Sequence, residues 1–357
     1  MARLSSKTFS KTNKIFSTIT PQQQDVDGDG DLDWTKKHAL DDFKLRRYYR
    51  LDLPHGIGYN QDEGIFAFAS SFGAENKLVV VKDFKQKAKV INYFTSAMAV
   101  SPTKIYVGND NNNGNVYSYN HDLSDEQIEF NIEGSVAHIS VVTIEGKECI
   151  LYAKSDQGFG IAYKDEGGSW VVSYNQIYNS AVPATLCRMR GMHYEDGKIY
   201  AIEQEKTTGM FVIYSSATPL DAASYTEQEA HFHYSSGAYS EGTSATLSQC
   251  YDIKKIDTDQ FVVSMGHGGQ TVGFAKIFKN GSDQWEVETL MLSTDPDSFE
   301  DGEETYKGRN FKFVVVENHI VFADQHNHCI RGFDMTDKET YVLFGTPEES
   351  GTDTFWV

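Results

Sequence analysis

The chain has 357 residues, with 32 lysine and arginine residues against 51 aspartate and glutamate residues, which gives a formal charge of −19. An acidic surface of this kind repels polyanions and argues against nucleic-acid binding. No apolar run reaches the about 20 residues of a membrane-spanning helix, and the N-terminus lacks the apolar core of a secretion signal. We therefore expect a soluble protein without membrane insertion, located in a virion or in the cytoplasm.

The first 24 residues differ in composition from the rest of the chain. They contain no acidic residue, are rich in serine, threonine and glutamine, and carry four basic residues, Arg3, Lys7, Lys11 and Lys14. Low hydrophobicity of this kind is typical of a segment that adds little to a core. We interpret residues 1–42 as an N-terminal arm and residues 43–357 as the folded domain.

An aspartate-rich run follows within the arm. It reads D-V-D-G-D-G-D-L-D and places five aspartates within nine residues, Asp25, Asp27, Asp29, Asp31 and Asp33. Oxygen ligands at alternate positions can converge on one hard cation where a glycine permits a sharp turn, which is Ca²⁺ chemistry. The run resembles the start of an EF-hand loop and the calcium loops of integrin-type propellers and thrombospondin repeats. Position twelve is Lys36, where an EF-hand has a bidentate glutamate, so we predict a Ca²⁺ loop that is not part of a helix-loop-helix. A bare solvated loop is the alternative.

Short apolar runs recur along the rest of the chain, with turn residues between them. Their equivalent positions are Ile65, Ile105, Ile150, Ile199, Phe261 and Ile320, which are separated by 40, 45, 49, 62 and 59 residues. Runs rich in Val, Ile, Tyr and Phe between Gly, Asn and Asp clusters predict strands, and helical periodicity is nearly absent. A repeat of about 40–50 residues with several strands is typical of a propeller blade. We predict an all-β fold, a β-propeller of six four-stranded blades, with a two-sheet sandwich as the alternative.

Two of these separations, of 62 and 59 residues, are longer than the others and indicate insertions. The insertions are residues 230–249 and 293–308, which we expect to form surface loops. The closure of the ring has two candidate strands. Residues 43–53 alternate like a strand, and residues 340–344 compete with them for the outer position of the last blade.

Potential transition-metal ligands occur as two H-x-H pairs, His231/His233 and His326/His328. Side chains at i and i+2 face the same side of a strand, which suits a metal, and His267 is a candidate third ligand. We favour the interpretation that these histidines are exposed or satisfied within turns. The acidic residues between positions 295 and 304 are similarly interpreted as a solvated loop.

Catalytic signatures are missing from the sequence: there is no G-x-S-x-G elbow, zinc-protease motif, phosphate-binding loop or dinucleotide fingerprint. The cysteines lack metal or redox spacing and are expected to be buried thiols, at Cys149, Cys187, Cys250 and Cys329.

Residues 320–334 read I-V-F-A-D-Q-H-N-H-C-I-R-G-F-D. This segment resembles an NHL repeat, in which an apolar strand is followed by Ala-Asp, two variable residues, Asn-His or Asn-Arg, a basic residue, Ile and a second strand that ends in Asp. Residues 105–119 form a looser copy, and Cys329 replaces the usual basic residue. The resemblance implies a six-bladed toroid, in which Asp324 and Asn327 are turn-formers.

Fold class does not determine function, because propellers of this kind include lyases, hydrolases and pure interaction modules. We expect a non-enzymatic interaction or structural subunit of a larger assembly, with a virion as the most concrete case. Its basic arm and blade loops would dock onto a protein partner or another copy of the chain. The alternative is a metal-dependent hydrolase or lyase with its site at the channel mouth, which three or more convergent His, Asp or Glu side chains would favour.

Overall fold

The computed structural model describes residues 54–344 except for 73–74, 83–84, 96, 110–112, 155–157, 178–187, 205–208, 236–237, 267–271, 294–309 and 326. Within these ranges the chain forms 26 strands and one 3-10 turn, Ala222–Ser224. No helix in this part of the chain is long and apolar enough to cross a bilayer.

Each blade is an antiparallel sheet of four strands that follow one another in the chain. Blade I contains β1 Pro54–Asn60, β2 Ile65–Phe72, β3 Glu75–Lys82 and β4 Lys85–Ile91. Blade II contains β5 Ala97–Val100, β6 Ile105–Gly108, β7 Asn115–Tyr119 and β8 Gln127–Asn131. Blade III contains β9 Val136–Ile144, β10 Lys147–Lys154, β11 Gly158–Lys164 and β12 Trp170–Gln176.

The second half of the ring repeats this order. Blade IV contains β13 Arg188–Glu195, β14 Lys198–Gln204, β15 Phe211–Ser215 and β16 Thr226–His231, and a small parallel pair follows it, β17 His233–Tyr234 and β18 Thr246–Leu247. Blade V contains β19 Cys250–Asp257, β20 Gln260–Met265, β21 Val272–Lys279 and β22 Trp285–Ser293. Blade VI contains β23 Asn310–Val316, β24 His319–Asp324, β25 Cys329–Asp334 and β26 Glu339–Phe344. The prediction of six four-stranded blades is confirmed.

The first strand of each blade contacts the first strands of both neighbouring blades, in the order β1, β5, β9, β13, β19, β23 and back to β1. The six first strands therefore surround a central channel. The outer position of the last blade, left open by the sequence, is occupied by β26, which pairs with β25. Residues 43–53 lie outside the described residues.

The core consists of six apolar clusters, each between two neighbouring blades. The cluster between blades VI and I includes Phe68 and Phe344, whose rings lie 5.1 Å apart at an edge-to-face angle. Blades VI and I thus meet through side-chain packing of the same kind as the other pairs, which closes the ring.

The second strand of each blade is buried on both faces, which explains why its sequence is apolar without alternation. In β2, Phe66 and Phe68 pack toward blade VI, whereas Ile65 and Ala67 pack toward blade II. Successive side chains of a strand point to opposite faces, and here each face meets another blade. The six positions predicted as equivalent all lie in second strands and are at most 1% exposed.

Hairpin turns and the first insertion complete the blades. Asp196 and Gly197 join β13 to β14 with φ of 48° and 77°, the left-handed backbone of a two-residue hairpin turn. The insertion at residues 230–249 was expected to be a surface loop, but it contains β17 and β18, and its Phe232, Ala245 and Leu247 are buried in the cluster between blades IV and V. Burial of these apolar side chains stabilises the packing of the insertion against blades IV and V.

Candidate functional site in the central channel

The channel contains a cavity of about 500 Å³ that is lined by residues from all six first strands. A second cavity of about 150 Å³ lies toward the amino ends of the same strands. Lys312 of β23 lines both cavities, so it lies between them. The larger cavity has the size of a small-molecule binding site.

Buried polar side chains of blades III and V meet in the wall of the larger cavity. His138 of β9 is 2% exposed, and its Nδ1 lies 3.5 Å from Oδ1 of Asp252 in β19. The same carboxylate oxygen accepts hydrogen bonds from the Lys254 ammonium at 2.9 Å and from the backbone N–H of Ile253 at 3.0 Å. Asp252 and Lys254 are two residues apart on one strand and therefore share a face.

Gly191 in β13 allows blades III and V to come this close, because β13 lies between them in the ring. A Cβ atom at Gly191 would lie 2.7 Å from both the Asp252 Cα and the Ile253 nitrogen. These are backbone atoms, which cannot move aside as a flexible side chain can. The missing side chain lets β19 pack directly against β13 and brings Asp252 within reach of β9.

Burial and neighbouring charges set the protonation of this group. Burial lowers the pKa of His138 to about 4, although the contact with Asp252 opposes the shift. Burial alone would raise the pKa of Asp252, but Lys254 and Lys312 hold it below its usual value. At neutral pH His138 is therefore uncharged and Asp252 is ionised, so the ring proton is on Nδ1, facing the carboxylate. Nε2 is then a hydrogen-bond acceptor.

Two polar atoms in the wall of this cavity have no hydrogen-bond partner among the residues that the structure describes. They are Nε2 of His138 and Oγ of Ser140, and both atoms are buried. The two residues lie on the same face of β9, since they are two positions apart. This placement differs from the usual pattern, in which buried polar groups are satisfied.

Other ionisable residues border the channel. Burial lowers the pKa of His193 in β13 to about 4, and Glu195 at the end of that strand forms an ion pair with Lys255. Lys312 is buried, and its ammonium donates to the backbone carbonyls of Arg190 and Tyr251 at 2.8 and 2.9 Å. Lys312 therefore links blade VI to blades IV and V across the channel.

The smaller cavity also contains a buried histidine. Nδ1 of His55 lies 3.0 Å from Nε2 of Gln325, and the His55 ring packs edge-on against Phe94 at 4.1 Å between centroids. Burial lowers the pKa of His55 to about 4. This contact joins the first strand of blade I to the turn after β24 in blade VI.

The predicted metal ligands do not converge in the part of the chain that the structure describes. His231 ends β16 and pairs with Glu229 at 3.0 Å, whereas His233 lies in β17 and is exposed. Phe232 between them has φ of 65°, so the pair does not lie on one extended strand. Among the described residues no group of three His, Cys, Asp or Glu side chains is placed to hold a metal ion.

Several other predicted residues lie outside the described residues. These are His267, His326, Cys187, the acidic run between 295 and 304, and the five aspartates of the predicted calcium loop, Asp25, Asp27, Asp29, Asp31 and Asp33. The other three cysteines are buried thiols, as expected: Cys149, Cys250 and Cys329.

Asp324 ends β24 and Asn327 lies in the turn between β24 and β25, where the sequence predicted turn-formers. The Asn327 amide donates to Asp324 Oδ2 at 2.9 Å, and Arg331 donates to the same oxygen at 3.1 Å. Arg331 also donates to Thr340 in β26 at 3.2 Å. All four side chains are buried, so the turn includes an interior ion pair that ties together three strands of blade VI.

The group formed by His138, Ser140, Asp252 and Lys254 was not predicted. No local motif marks these residues, because they come from first strands of two blades and meet only after the ring has closed. The available signal was weak: His138 stands within the largely apolar segment V-A-H-I-S-V-V-T-I, whereas Asp252 lies in a strand that also contains lysines.

No family model and no curated protein matches the sequence. Solved structures that are similar include a structural genomics protein of unknown function from Bacteroides thetaiotaomicron, with a TM-score of 0.55 and 13% identity over 79% of this chain and 69% of that one. Hydrazine synthase of Kuenenia stuttgartiensis has a TM-score of 0.52 and 13% identity, and the Cps50 (Swd1) β-propeller domain of Myceliophteria thermophila has 0.50 and 8%; both matches cover 85% of this chain and 90% of the other. At these identities the similarity concerns the fold alone.

Proposed function

We propose that the protein is a non-enzymatic interaction propeller that serves as a structural subunit of a larger assembly and docks through its N-terminal arm and blade loops. The observation that supports this most is the completeness of the ring. All 24 strands of the six blades lie between Pro54 and Phe344. A closed ring of six four-stranded blades therefore needs no strand from residues 1–53, which leaves that segment available to bind another molecule.

Charge supports a second copy of the chain as the partner. The first 24 residues carry +4, which leaves −23 for the remainder of a chain whose total is −19. Opposite charges of this size attract over about a Debye length, roughly 8 Å at physiological salt. A basic arm and an acidic ring in the same chain suit head-to-tail docking between copies, as in a virion or another repeating assembly.

Calcium is proposed to order the aspartate-rich part of the arm, which precedes the ring in the sequence. Five aspartates within nine residues repel one another unless a cation is bound between them, and alternate oxygen ligands suit Ca²⁺. Titration calorimetry of the chelator-treated full chain should show saturable Ca²⁺ binding that the Asp27→Asn/Asp29→Asn variant loses. Asp283→Asn, at an exposed turn between β21 and β22, is the matched control. Equal heats in the wild type and the double variant would contradict the site.

Docking is tested by neutralising the arm without shortening it. In the Lys7→Gln/Lys11→Gln/Lys14→Gln variant we expect self-association to be lost in sedimentation experiments at low salt, with unfolding of the ring unchanged. The control removes the same charge from exposed positions on the ring, Lys147→Gln/Lys198→Gln/Lys338→Gln. Raising the salt to about 1 M should weaken association of the wild type, because it shortens the Debye length to about 3 Å. A wild type that sediments as a monomer under all conditions would refute self-docking.

A further inference from the structure

We infer that the larger channel cavity binds a small hydroxylated anion, which donates a hydroxyl proton to Nε2 of His138 and accepts a hydrogen bond from Lys254 through an anionic oxygen. This site is independent of the proposed arm docking, because it lies within the ring.

The two partnerless atoms in the cavity wall are the first argument. A buried nitrogen or oxygen without a hydrogen bond carries a desolvation cost, and native structures leave few such atoms. Here two occur on one face of β9, at His138 and Ser140, and both residues line the same cavity. A molecule in the cavity with matching polar groups would satisfy both.

The proton on His138 determines what that molecule must offer. Nδ1 faces the ionised carboxylate of Asp252, so Nε2 can only accept a hydrogen bond while the ring is neutral. The ligand therefore needs an O–H or N–H donor at this point. Ser140 can donate or accept, which suits a second hydroxyl on the same molecule.

Charge in the cavity favours an anion. Lys254 and Lys312 both line it, and Lys254 uses one of its three N–H groups for Asp252. Of the other carboxylates in the wall, Glu195 is paired with Lys255 and Asp196 is exposed at a hairpin tip. Two ammonium groups therefore face one carboxylate inside the channel. Solvent ions screen the charges of the acidic outer surface beyond about a Debye length, roughly 8 Å at physiological salt.

The remaining wall limits the size and shape of the ligand. Blades I and II contribute mainly apolar groups to the lining, among them Ile57, Met98 and Val100, whereas blades III and V contribute the polar residues His138, Asp252 and Lys254. A volume of about 500 Å³ accommodates a compact molecule. A short carbon chain or ring with hydroxyls on one side and a terminal carboxylate or phosphate fits both walls.

Four probes separate the contributions of charge and hydroxyl groups. We would titrate the full chain with gluconate, glucose 6-phosphate, glucose and hexanoate by calorimetry, each up to about 10 mM. We expect saturable binding of gluconate, glucose 6-phosphate or both, which also distinguishes a carboxylate from a phosphate ligand. Glucose lacks the charge and hexanoate lacks the hydroxyls, so both should bind at least about tenfold more weakly. The proposal is wrong if neither gluconate nor glucose 6-phosphate binds, or if glucose or hexanoate binds equally well. Water would then supply the hydrogen bonds of the two wall atoms.

Variants link binding to the two atoms. Ser140→Ala removes an oxygen that has no hydrogen-bond partner in the described part of the chain, so the melting temperature should stay the same or rise. Binding of the charged polyol should weaken about tenfold, the size of one hydrogen bond. His138→Phe should abolish binding. The exposed His233→Phe is its control. His138→Phe also removes a partner of Asp252 and could unfold the protein. In that case Ser140→Ala still tests the proposal. Unchanged binding in Ser140→Ala would overturn the proposed ligand geometry.

Discussion

The buried ion pair of blade VI gives the sharpest test of how the ring is held together. Asp324 and Arg331 are both fully buried, and the carboxylate accepts from Arg331 at 3.1 Å and from Asn327 at 2.9 Å. Asp324→Asn keeps the size of the side chain and removes its charge. The Arg331 guanidinium would then remain in the interior without its counter-charge.

The loss of unfolding free energy in Asp324→Asn can be compared with that of a milder substitution at the same turn, Asn327→Ala. Removing one partner of a buried ion pair destabilises by about 3–5 kcal/mol, because the remaining charge is uncompensated. Asn327→Ala removes a neutral donor from the same carboxylate and should cost about 1–3 kcal/mol. Adding Arg331→Met to Asp324→Asn removes the buried charge, so the double variant should be more stable than Asp324→Asn alone.

Urea unfolding followed by tryptophan fluorescence measures these differences, provided that the m-value stays constant. The exposed Asp337→Asn, in the turn between β25 and β26, is the control and should be neutral. A cost below about 1 kcal/mol for Asp324→Asn would refute the reasoning. A double variant less stable than Asp324→Asn would also refute it, since it would show that Arg331 contributes by packing and not by charge.

Three further predictions use the same urea assay or thiol chemistry. Lowering the pH from about 6.5 toward 4 should destabilise the ring, because burial lowers the pKa of His55, His138 and His193 to about 4 and the unfolded chain then binds protons that the native state does not. Each histidine contributes up to about 1.4 kcal/mol per pH unit in this window, so His138→Phe should flatten the slope and the exposed His233→Phe should not. Gly191→Ala should cost about 1–3 kcal/mol, because its methyl group meets backbone of β19 at 2.7 Å; Gly281→Ala, with open space around it, is the control, and equal stability of the two variants would contradict the packing argument. In a Cys187→Ser background, Cys149, Cys250 and Cys329 should react with a disulfide reagent only after unfolding, since they are buried and burial raises the pKa of Cys149 to about 11 and that of Cys250 further; rapid reaction of the native protein would show that the blades open.

The repeating strands were predictable because their signal is local. Ile65 and Ile320 occupy equivalent positions in the second strands of blades I and VI. In each strand the residues that follow them directly are also apolar and buried. A second strand that packs on both faces needs apolar residues at successive positions. A continuous apolar run of about five or six residues therefore predicts that the strand is buried. The number of blades follows from counting these runs. The burial of Phe232 and Leu247 in the insertion was not predicted, because its apolar residues are scattered among polar ones.

The channel site depended on tertiary structure. The aspartate-rich run from Asp25 to Asp33 was visible as a motif because all the proposed Ca²⁺ ligands lie within nine residues. His138 and Asp252, by contrast, belong to separate blades and become neighbours only when Gly191 lets the strand between them pack closely. Strand formation depends on side chains a few positions apart in the sequence. The composition of the channel wall depends on how the six sheets are arranged around the ring. The sequence by itself determined the blades, and the packing of the blades against one another decided which polar groups face the channel together.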